Sequence, residues 1–192
     1  MAYLLDRINQ SLIKQGLTPR TNQARAWLQS KVTQLKPTRQ ALLQDRTRLR
    51  DANIIGKMYF YFYDPKTKDM LPYYDRFPLV IPIERYSDGF LGLNLHYIHP
   101  KQRIILLDTL SSVATDNRFD ENTKLKINYQ YLKNASRAFE ATPCIKRYLS
   151  NHIQSRFVQI HANEWDIAAL LPVERFEKAS TSRVWSDSRK KF

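Results

Sequence analysis

Cysteine is almost absent from this sequence, since Cys144 is the single one among 192 residues. One cysteine cannot form an intramolecular disulfide, and the cysteine and histidines do not fall at the spacing of a zinc site. The sequence therefore predicts a protein of a reducing compartment that needs no metal and no cofactor. Cys144 lies between Pro143 and Ile145, and we expect a buried thiol rather than a nucleophile, because a reactive cysteine needs polarising neighbours.

Long apolar runs and catalytic motifs are also missing. No apolar run approaches the roughly eighteen residues of a membrane span, and residues 1–16 carry acid and base inside their apolar stretch, so we expect neither a membrane helix nor a secretory signal. The sequence has no glycine-rich phosphate loop, no G-x-S-x-G motif and no Walker-type lysine. We therefore expect a protein that is not an enzyme.

Acidic residues are scarce at both ends of the chain. The whole chain has a net charge of +13. Residues 1–50 hold ten lysines and arginines against two acids, and residues 173–192 hold six against three. Basic side chains spaced along helices can follow a phosphate backbone without reading bases, so a polyanionic partner is favoured over a solvated helix face. An alternative stays open, in which the same arginines pack against acidic surfaces of neighbouring subunits. The residues expected to bind DNA or such a partner are Arg20, Arg25, Lys31, Lys36, Arg39, Arg46, Arg48, Arg50, Lys146, Arg147, Arg189, Lys190 and Lys191.

The first fifty residues have the periodicity of helices. Apolar residues recur at helical spacing from Leu4 to Ile13 and stop at Gly16, a glycine suited to a helix C-terminus. A second helix is predicted after residues 18–23 and ends before Pro37, and a third is predicted over residues 37–50. Their apolar faces are narrow, so we expect them to need a partner or the rest of the chain to stay folded.

From Asn53 the pattern changes to alternation, which indicates strands. We predict strands within residues 56–75, joined by a polar turn at 64–66, and further strands over residues 77–85 and 87–98. Pro78 and Pro82 restrict the strand over 77–85 to a sheet edge or the neighbourhood of a bulge, since proline cannot donate to a ladder. The aromatic and β-branched density predicts a small, curved, barrel-like antiparallel sheet.

Helices are predicted to return at Pro100. The pattern predicts helices over residues 100–115 and 121–140, a short helix over 143–153, a strand over 155–161 and one or two helical turns over 163–172. The apolar content thins after residue 172, which predicts an extended basic tail that is ordered only against a partner. The fold class is therefore α+β: a basic helical arm (1–52), a compact domain (53–172) with the barrel-like sheet and a helical C-terminal half, and a basic extended tail (173–192).

Histidines and acids give weak signals for a metal site or a nuclease. His96 and His99 form H-x-x-H, but a strand followed by a turn does not present two ligands as a helix face does, so a structural, hydrogen-bonded role is favoured. Asp64, Asp69 and Asp88 fall in predicted turns, where aspartate is common for backbone reasons. Turn chemistry is therefore favoured over a metal-dependent nuclease.

The run of aromatics from Tyr59 to Tyr63 invites comparison with sheets that stack nucleic-acid bases. Alternation places the three tyrosines on one face, expected to be half-exposed, and the two phenylalanines on the other, in the core. Ordinary packing or a protein–protein surface is favoured over base stacking.

Four stretches carry a family resemblance, and they are residues 56–98, 128–160, 164–179 and 184–188. They resemble a virion protein of T-even-like tailed bacteriophages, including marine and cyanobacterial phages, which is identified as a DNA end protector or head completion protein. The run "LPYYDRFPLVIPI" through "GFLGLNLHYI" is the most distinctive part. The resemblance covers roughly Gly56 to Ser188, whereas residues 1–50 resemble no known family.

The resemblance implies a non-enzymatic virion protein that binds the genome end or the portal-proximal double-stranded DNA, protects it from host exonuclease and acts in head completion. It implies a DNA end bound without sequence preference, portal, neck or other virion proteins as further partners, and an oligomeric state within the particle. The expected location is the head–tail region of the virion, after assembly in the host cytoplasm. The alternative is a structural neck, tail or baseplate component that docks on other virion proteins without contacting DNA.

Overall fold

The computed structural model of the chain describes residues 3–114 and 144–189. It confirms the α+β class, with N-terminal helices, an antiparallel sheet of six strands and C-terminal helices. The helices are α1 (Leu4–Lys14), α2 (Asn22–Leu35), α3 (Arg39–Leu43), α4 (Pro100–Ala114), α5 (Trp165–Leu170) and α6 (Thr181–Arg189). The strands are β1 (Leu49–Arg50), β2 (Met58–Phe60), β3 (Tyr74–Asp75), β4 (Leu79–Tyr86), β5 (Gly89–Asn94), β6 (Ile145–Leu149), β7 (Phe157–Ile160) and β8 (Phe176–Glu177).

The first two helices lie where the sequence predicts, except that α2 begins two residues earlier, at Asn22. Gly16 has φ +69° and closes α1, with its N–H donating to Ile13 O (2.9 Å) while the next N–H donates to Leu12 O (3.1 Å). The Thr21 hydroxyl caps α2 by accepting from Ala24 N at 3.2 Å. The third helix is shorter than predicted, because the chain leaves α3 at Leu43 and passes through a 3₁₀ turn into strand β1.

The main sheet has the strand order β1-β7-β2-β4-β5-β6, and every neighbouring pair is antiparallel. It is not closed into a barrel, which corrects the expected barrel-like shape, because β1 and β6 lie at opposite edges and do not pair. β3, the predicted return strand, pairs with β8 in a separate two-stranded ribbon instead of with β2. This ribbon ties the C-terminal segment to the middle of the chain.

Strand β4 is central, between β2 and β5, although it contains Pro82. Its pairing with β2 covers Leu79 and Val80 only, and its register with β5 shifts between Pro82 and Glu84. Of the two positions predicted for this strand, the neighbourhood of a bulge is confirmed and the edge is wrong. The missing proline N–H is tolerated because the ladder is irregular at that point.

The sheet buries apolar side chains on both faces. One face packs Met58, Phe60 and neighbouring aliphatic side chains against the helices. The other carries a second cluster that consists of Tyr59, Tyr61, Tyr63, Val80, Phe90, Tyr148 and Phe157. The predicted separation of tyrosine from phenylalanine is confirmed, but the half-exposed tyrosine face is wrong, because Tyr61 is 0% exposed. These three tyrosines are therefore packing residues rather than a half-exposed face.

Two predictions in the second half of the chain are wrong. Residues 145–149 form strand β6 rather than a helix, because pairing with β5 outweighs the local pattern. The C-terminal segment is not extended beyond β8, since α6 packs on the body with Val184 and Ser188 buried. Helix α4, strand β7 and helix α5 lie where predicted, Cys144 is buried as expected, and the helix predicted over residues 121–140 lies outside the described residues.

Candidate nucleic-acid interface

Arg48 joins the N-terminal arm, here residues 3–50, to the body, residues 51–114 and 144–189. Its side chain is buried, with Nε 2.7 Å from Asp45 Oδ2, Nη1 2.5 Å from Glu164 Oε2 and Nη2 2.9 Å from Asp6 Oδ1. Burial by itself lowers the pKa of Arg48, but hydrogen bonds and attraction to Glu164 and Asp45 outweigh it and raise the pKa. The guanidinium therefore remains charged and neutralises carboxylates from both parts of the chain.

Two further arginines of the predicted site also face inward. Arg25 donates from Nε to Asp166 Oδ2 at 2.7 Å and uses both terminal nitrogens on Asp108, so it links α2 to α4 and α5. Arg39 donates to the backbone carbonyls of Val173 (2.8 Å) and Glu174 (2.5 Å). With Arg48, these residues fix the arm to the body through charge-assisted hydrogen bonds.

The outward side of the arm keeps its positive charge. Both acids of the first fifty residues, Asp6 and Asp45, contact Arg48, and α2 contains no acid. Within the part of the chain that the structure describes, six basic residues of the arm make no ion pair, in addition to the inward-facing Arg39. These residues, hereafter the arm cations, are Arg7, Lys14, Lys31, Lys36, Arg46 and Arg50.

The arm cations differ in how they are held. Arg7, Lys14, Lys36 and Arg46 are exposed. Lys31 is half-buried and donates to Gln34 Oε1 at 3.1 Å. Arg50 is half-buried and donates to Gln159 Oε1 and to two backbone carbonyls, which fixes its guanidinium without neutralising it. Arg20, which sequence reasoning also selected, is half-buried with φ +69°.

Basic residues on the body are nearly balanced by acids, in contrast to the arm, since residues 51–114 and 144–189 hold fourteen lysines and arginines and twelve acids. Five ion pairs at its surface are Lys68–Asp64, Arg147–Asp88, Arg156–Asp51, Arg175–Glu177 and Arg183–Asp187. A paired cation offers less to a phosphate, because binding must first compete with the carboxylate beside it. The arm therefore carries the strongest unneutralised positive charge among the described residues.

The remaining predicted residues lie apart from the arm cations. The Lys146 ammonium is 4.6 Å from the centroid of the Tyr97 ring, and the Arg147 guanidinium stacks at 4.0 Å on Tyr86. Arg189 ends helix α6, while Lys190 and Lys191 lie outside the described residues. Partial burial and the charges of Arg189, Arg103 and Lys101 lower the pKa of His99, which lies just before α4.

Sequence reasoning missed the pair formed by Asp75 and His96. Both are buried, and His96 Nδ1 lies 2.8 Å from Asp75 Oδ2, which also accepts from Asn94 Nδ2 at 3.2 Å. Burial opposes the charge of Asp75, but attraction to His96 and hydrogen bonds from His96, Phe77 and Asn94 outweigh it and lower the pKa of Asp75. No local sequence pattern predicts this pair, because Asp75 and His96 are 21 residues apart. The structural role expected for His96 is confirmed.

The described residues contain no group of three or more histidines, cysteines or acids that could hold a metal ion. Likewise, no helix within them is both long and apolar enough to cross a membrane.

The comparison with protein families accounts for nearly the whole chain. A family model described as phage T4 terminal DNA protecting protein matches residues 8–188. The chain belongs to this family. The match confirms the resemblance to DNA end protectors of T4-like phages and extends it into the arm, where the sequence by itself resembled nothing known. No curated protein and no solved structure gives a significant match.

Membership of the terminal DNA protecting family establishes the general function. This chain is a phage protein associated with the protection of DNA termini, and the family name describes protection rather than catalysis.

Proposed function

We propose that this protein binds the end of the double-stranded phage genome through its arm cations and shields that end from host exonuclease. One observation carries the proposal: the two acids of the first fifty residues contact a single buried arginine, which leaves the arm cations unpaired. In the particle, the protein acts in head completion at the head–tail region, beside portal or neck proteins.

Binding of this kind depends on phosphate contacts and not on base identity. Each cation that meets a phosphate releases condensed counterions, so six to ten contacts lose roughly a thousandfold or more in affinity between 50 and 200 mM salt. The arm offers exposed positive charge of the kind that contacts phosphates. Protection is then steric, because a bound protein occupies the terminus that an exonuclease must enter.

Charge reversal on the arm tests the proposal. Arg48 is unsuitable for this test. Arg48→Glu would place a fourth carboxylate beside Asp6, Asp45 and Glu164 and break the contact between the arm and the body. The informative variant is Lys14→Glu with Lys36→Glu and Arg46→Glu, all at exposed positions. We expect this variant to bind blunt duplex DNA much more weakly and no longer to protect the DNA from exonuclease. The affinity that remains should depend less steeply on salt concentration.

The matched control reverses three paired cations of the body, Arg156→Glu, Arg175→Glu and Arg183→Glu, and has the same net charge as the arm variant. It should retain most of the affinity and protection. Absence of binding to blunt duplex at low salt by the unsubstituted protein, or equal losses in the two variants, would contradict the proposal.

A second candidate function is docking on other virion proteins without DNA contact. It is favoured by two apolar side chains on the arm, Ile13 at 62% and Leu35 at 41% exposure, which lie next to Lys14 and Lys36 in sequence. Under this alternative, Ile13→Ser with Leu35→Ser abolishes incorporation into particles while binding to free duplex is unaffected. Normal incorporation of the Ile13→Ser, Leu35→Ser variant would contradict this alternative.

A further inference from the structure

A groove of about 350 Å³ lies between strand β6, at the edge of the main sheet, and the loop of residues 64–71. Its volume is within the range of small-ligand sites. Five tyrosines line it, and they are Tyr63, Tyr73, Tyr74, Tyr97 and Tyr148. Tyr73 and Tyr74 are half-buried and the other three are buried, so aromatic surface is present inside a preformed depression. The proposed contacts of the arm make no use of it.

Positive charge lies at the rim of this tyrosine groove. Lys66 is exposed on the 64–71 loop, and the Lys146 ammonium is held 4.6 Å from the ring centroid of Tyr97. Aromatic surface beside lysine ammonium groups suits a ligand that combines a flat ring with an anion.

The loop that forms one wall is held in place by lysines. Lys178 Nζ donates to the carbonyls of Lys68 (2.7 Å), Asp69 (3.1 Å) and Leu71 (3.1 Å), and Lys68 Nζ lies 2.9 Å from Asp64 Oδ2. The wall is thus ordered before any ligand binds, which lowers the entropic cost of binding.

The floor of the tyrosine groove has the opposite charge to its rim. Asp75 and Asn94 line it, and their side chains are already hydrogen-bonded to each other and to His96. The buried carboxylate disfavours an anion in the interior, while the rim lysines attract one. An anionic aromatic ligand is therefore oriented with its ring inward and its anion outward. Because the floor groups are already satisfied, they are not free to select one base over another.

On the basis of the function proposed above, we propose that the tyrosine groove takes the unpaired terminal nucleotide of a DNA end. Its base lies against the tyrosines, and its phosphate lies beside Lys66 and Lys146. A paired base cannot enter a groove of this size, and a base leaves the helical stack at least cost where it is already unpaired, as at a frayed end. Stacking on aromatic rings accepts any base, so recognition is of the end and not of a sequence.

The tyrosine groove would supply what the arm cations lack. Phosphates are identical along a duplex, so phosphate contacts alone cannot distinguish a terminus from the interior. A nucleotide available only at a terminus provides that distinction.

Two DNAs of identical duplex sequence test the inference, one linear with open ends and one closed into a relaxed covalent circle, which has neither an end nor an unpaired base. We expect the unsubstituted protein to bind the open DNA roughly tenfold more tightly or better, the contribution of one base stacked on aromatic side chains. Tyr74→Ala should reduce affinity for the open DNA to that for the closed DNA, and Tyr74→Phe, which keeps the ring, should retain the preference. The arm variant of the previous section should lose affinity for both DNAs.

Photocrosslinking gives a readout that needs no substitution. A terminal 5-iododeoxyuridine, irradiated in complex with the unsubstituted protein, should crosslink to peptides containing Tyr73 or Tyr74. Equal affinity for open and closed DNA, or crosslinks confined to other segments, would overturn the groove assignment and leave the proposed function intact. Failure to bind either DNA would overturn the proposed function itself.

Discussion

At the scale of single residues, three arginines within five positions have three different environments. Arg46 is exposed, Arg48 is buried among carboxylates, and Arg50 is half-buried and hydrogen-bonded to neutral groups. Sequence reasoning assigned all three to one binding surface, because the pattern of charges along the chain is the same for each. The difference arises from Glu164, which lies 116 positions away from Arg48.

Replacing Arg48 should be far more damaging than replacing its neighbour. Arg48→Ala leaves Asp6, Asp45 and Glu164 together without their shared cation. We expect the free energy of unfolding to fall by about 3–5 kcal/mol, the usual cost of breaking a buried ion pair from one side. Urea denaturation followed by circular dichroism measures the change.

Arg46→Ala is the matched control, two positions along the same turn. Its side chain is exposed, and we expect a change within about 0.5 kcal/mol. Equal urea midpoints for the two variants would contradict this prediction. They would show that the carboxylates around Arg48 are satisfied by water or other partners with little loss of stability.

At the scale of elements, the pattern of residues predicted α1, α2, α4 and α5 and misassigned β6. The helices were predictable because their apolar spacing and their caps, such as Thr21 and Gly16, are local signals. Strand β6 has no such signal, and it exists because the edge of β5 offers it a complete ladder from Gly89 to Leu93. Its assignment therefore depends on a partner more than fifty residues away in sequence.

Two glycines should respond differently to the same substitution. A Cβ at Gly89 would lie 1.9 Å from the Tyr148 carbonyl oxygen, so Gly89→Ala must push β5 and β6 apart. A Cβ at Gly16 meets no atom within 4 Å, and only its φ of +69° opposes a side chain. We expect Gly16→Ala to cost about 1 kcal/mol and Gly89→Ala at least about 2 kcal/mol.

Thermal unfolding of the two alanine variants measures both costs. Equal losses would mean that the strands relax around the new methyl group at Gly89 without losing their hydrogen bonds. In that case the close approach of the two backbones would not be a constraint on the sheet.

At the scale of the whole molecule, the net charge of +13 is not spread evenly. The described body residues hold nearly as many acids as bases and form five ion pairs at the surface, while both acids of the arm contact the buried Arg48 and six cations of the arm are left without an acid. The division at residues 52 and 173 into arm, domain and tail stays a prediction, although β1 pairs with β7 and β8 pairs with β3 across those boundaries.

The pKa of His99 depends on the positive charges near the start of α4. Partial burial and the charges of Arg189, Arg103 and Lys101 lower its pKa below the ordinary value of 6.5. The unfolded chain therefore takes up this proton at higher pH than the folded protein. The contribution of neutral His99 to stability is full above pH 6.5 and is lost as the pH falls from that value through the lowered pKa of the folded protein.

Salt should raise the pKa of His99 part of the way towards its ordinary value, because ions screen the three neighbouring charges but do not change its burial. NMR titration of the ring protons at low and high salt measures this, and Arg189→Gln should reproduce part of the rise at low salt. A pKa that is the same at both salt concentrations would assign the shift to burial alone.

Composition and local pattern, taken alone, determined the α+β class, the helical arm and the concentration of charge at the chain ends, since these depend on neighbours within a few residues. The tertiary structure decided which cations face solvent, the pairing of β6 and β8, the buried Asp75–His96 pair and the tyrosine groove. The physical reason is distance along the chain. Whether a charge is neutralised depends on carboxylates up to 141 residues away, as Arg25 and Asp166 are, and no local pattern encodes that meeting.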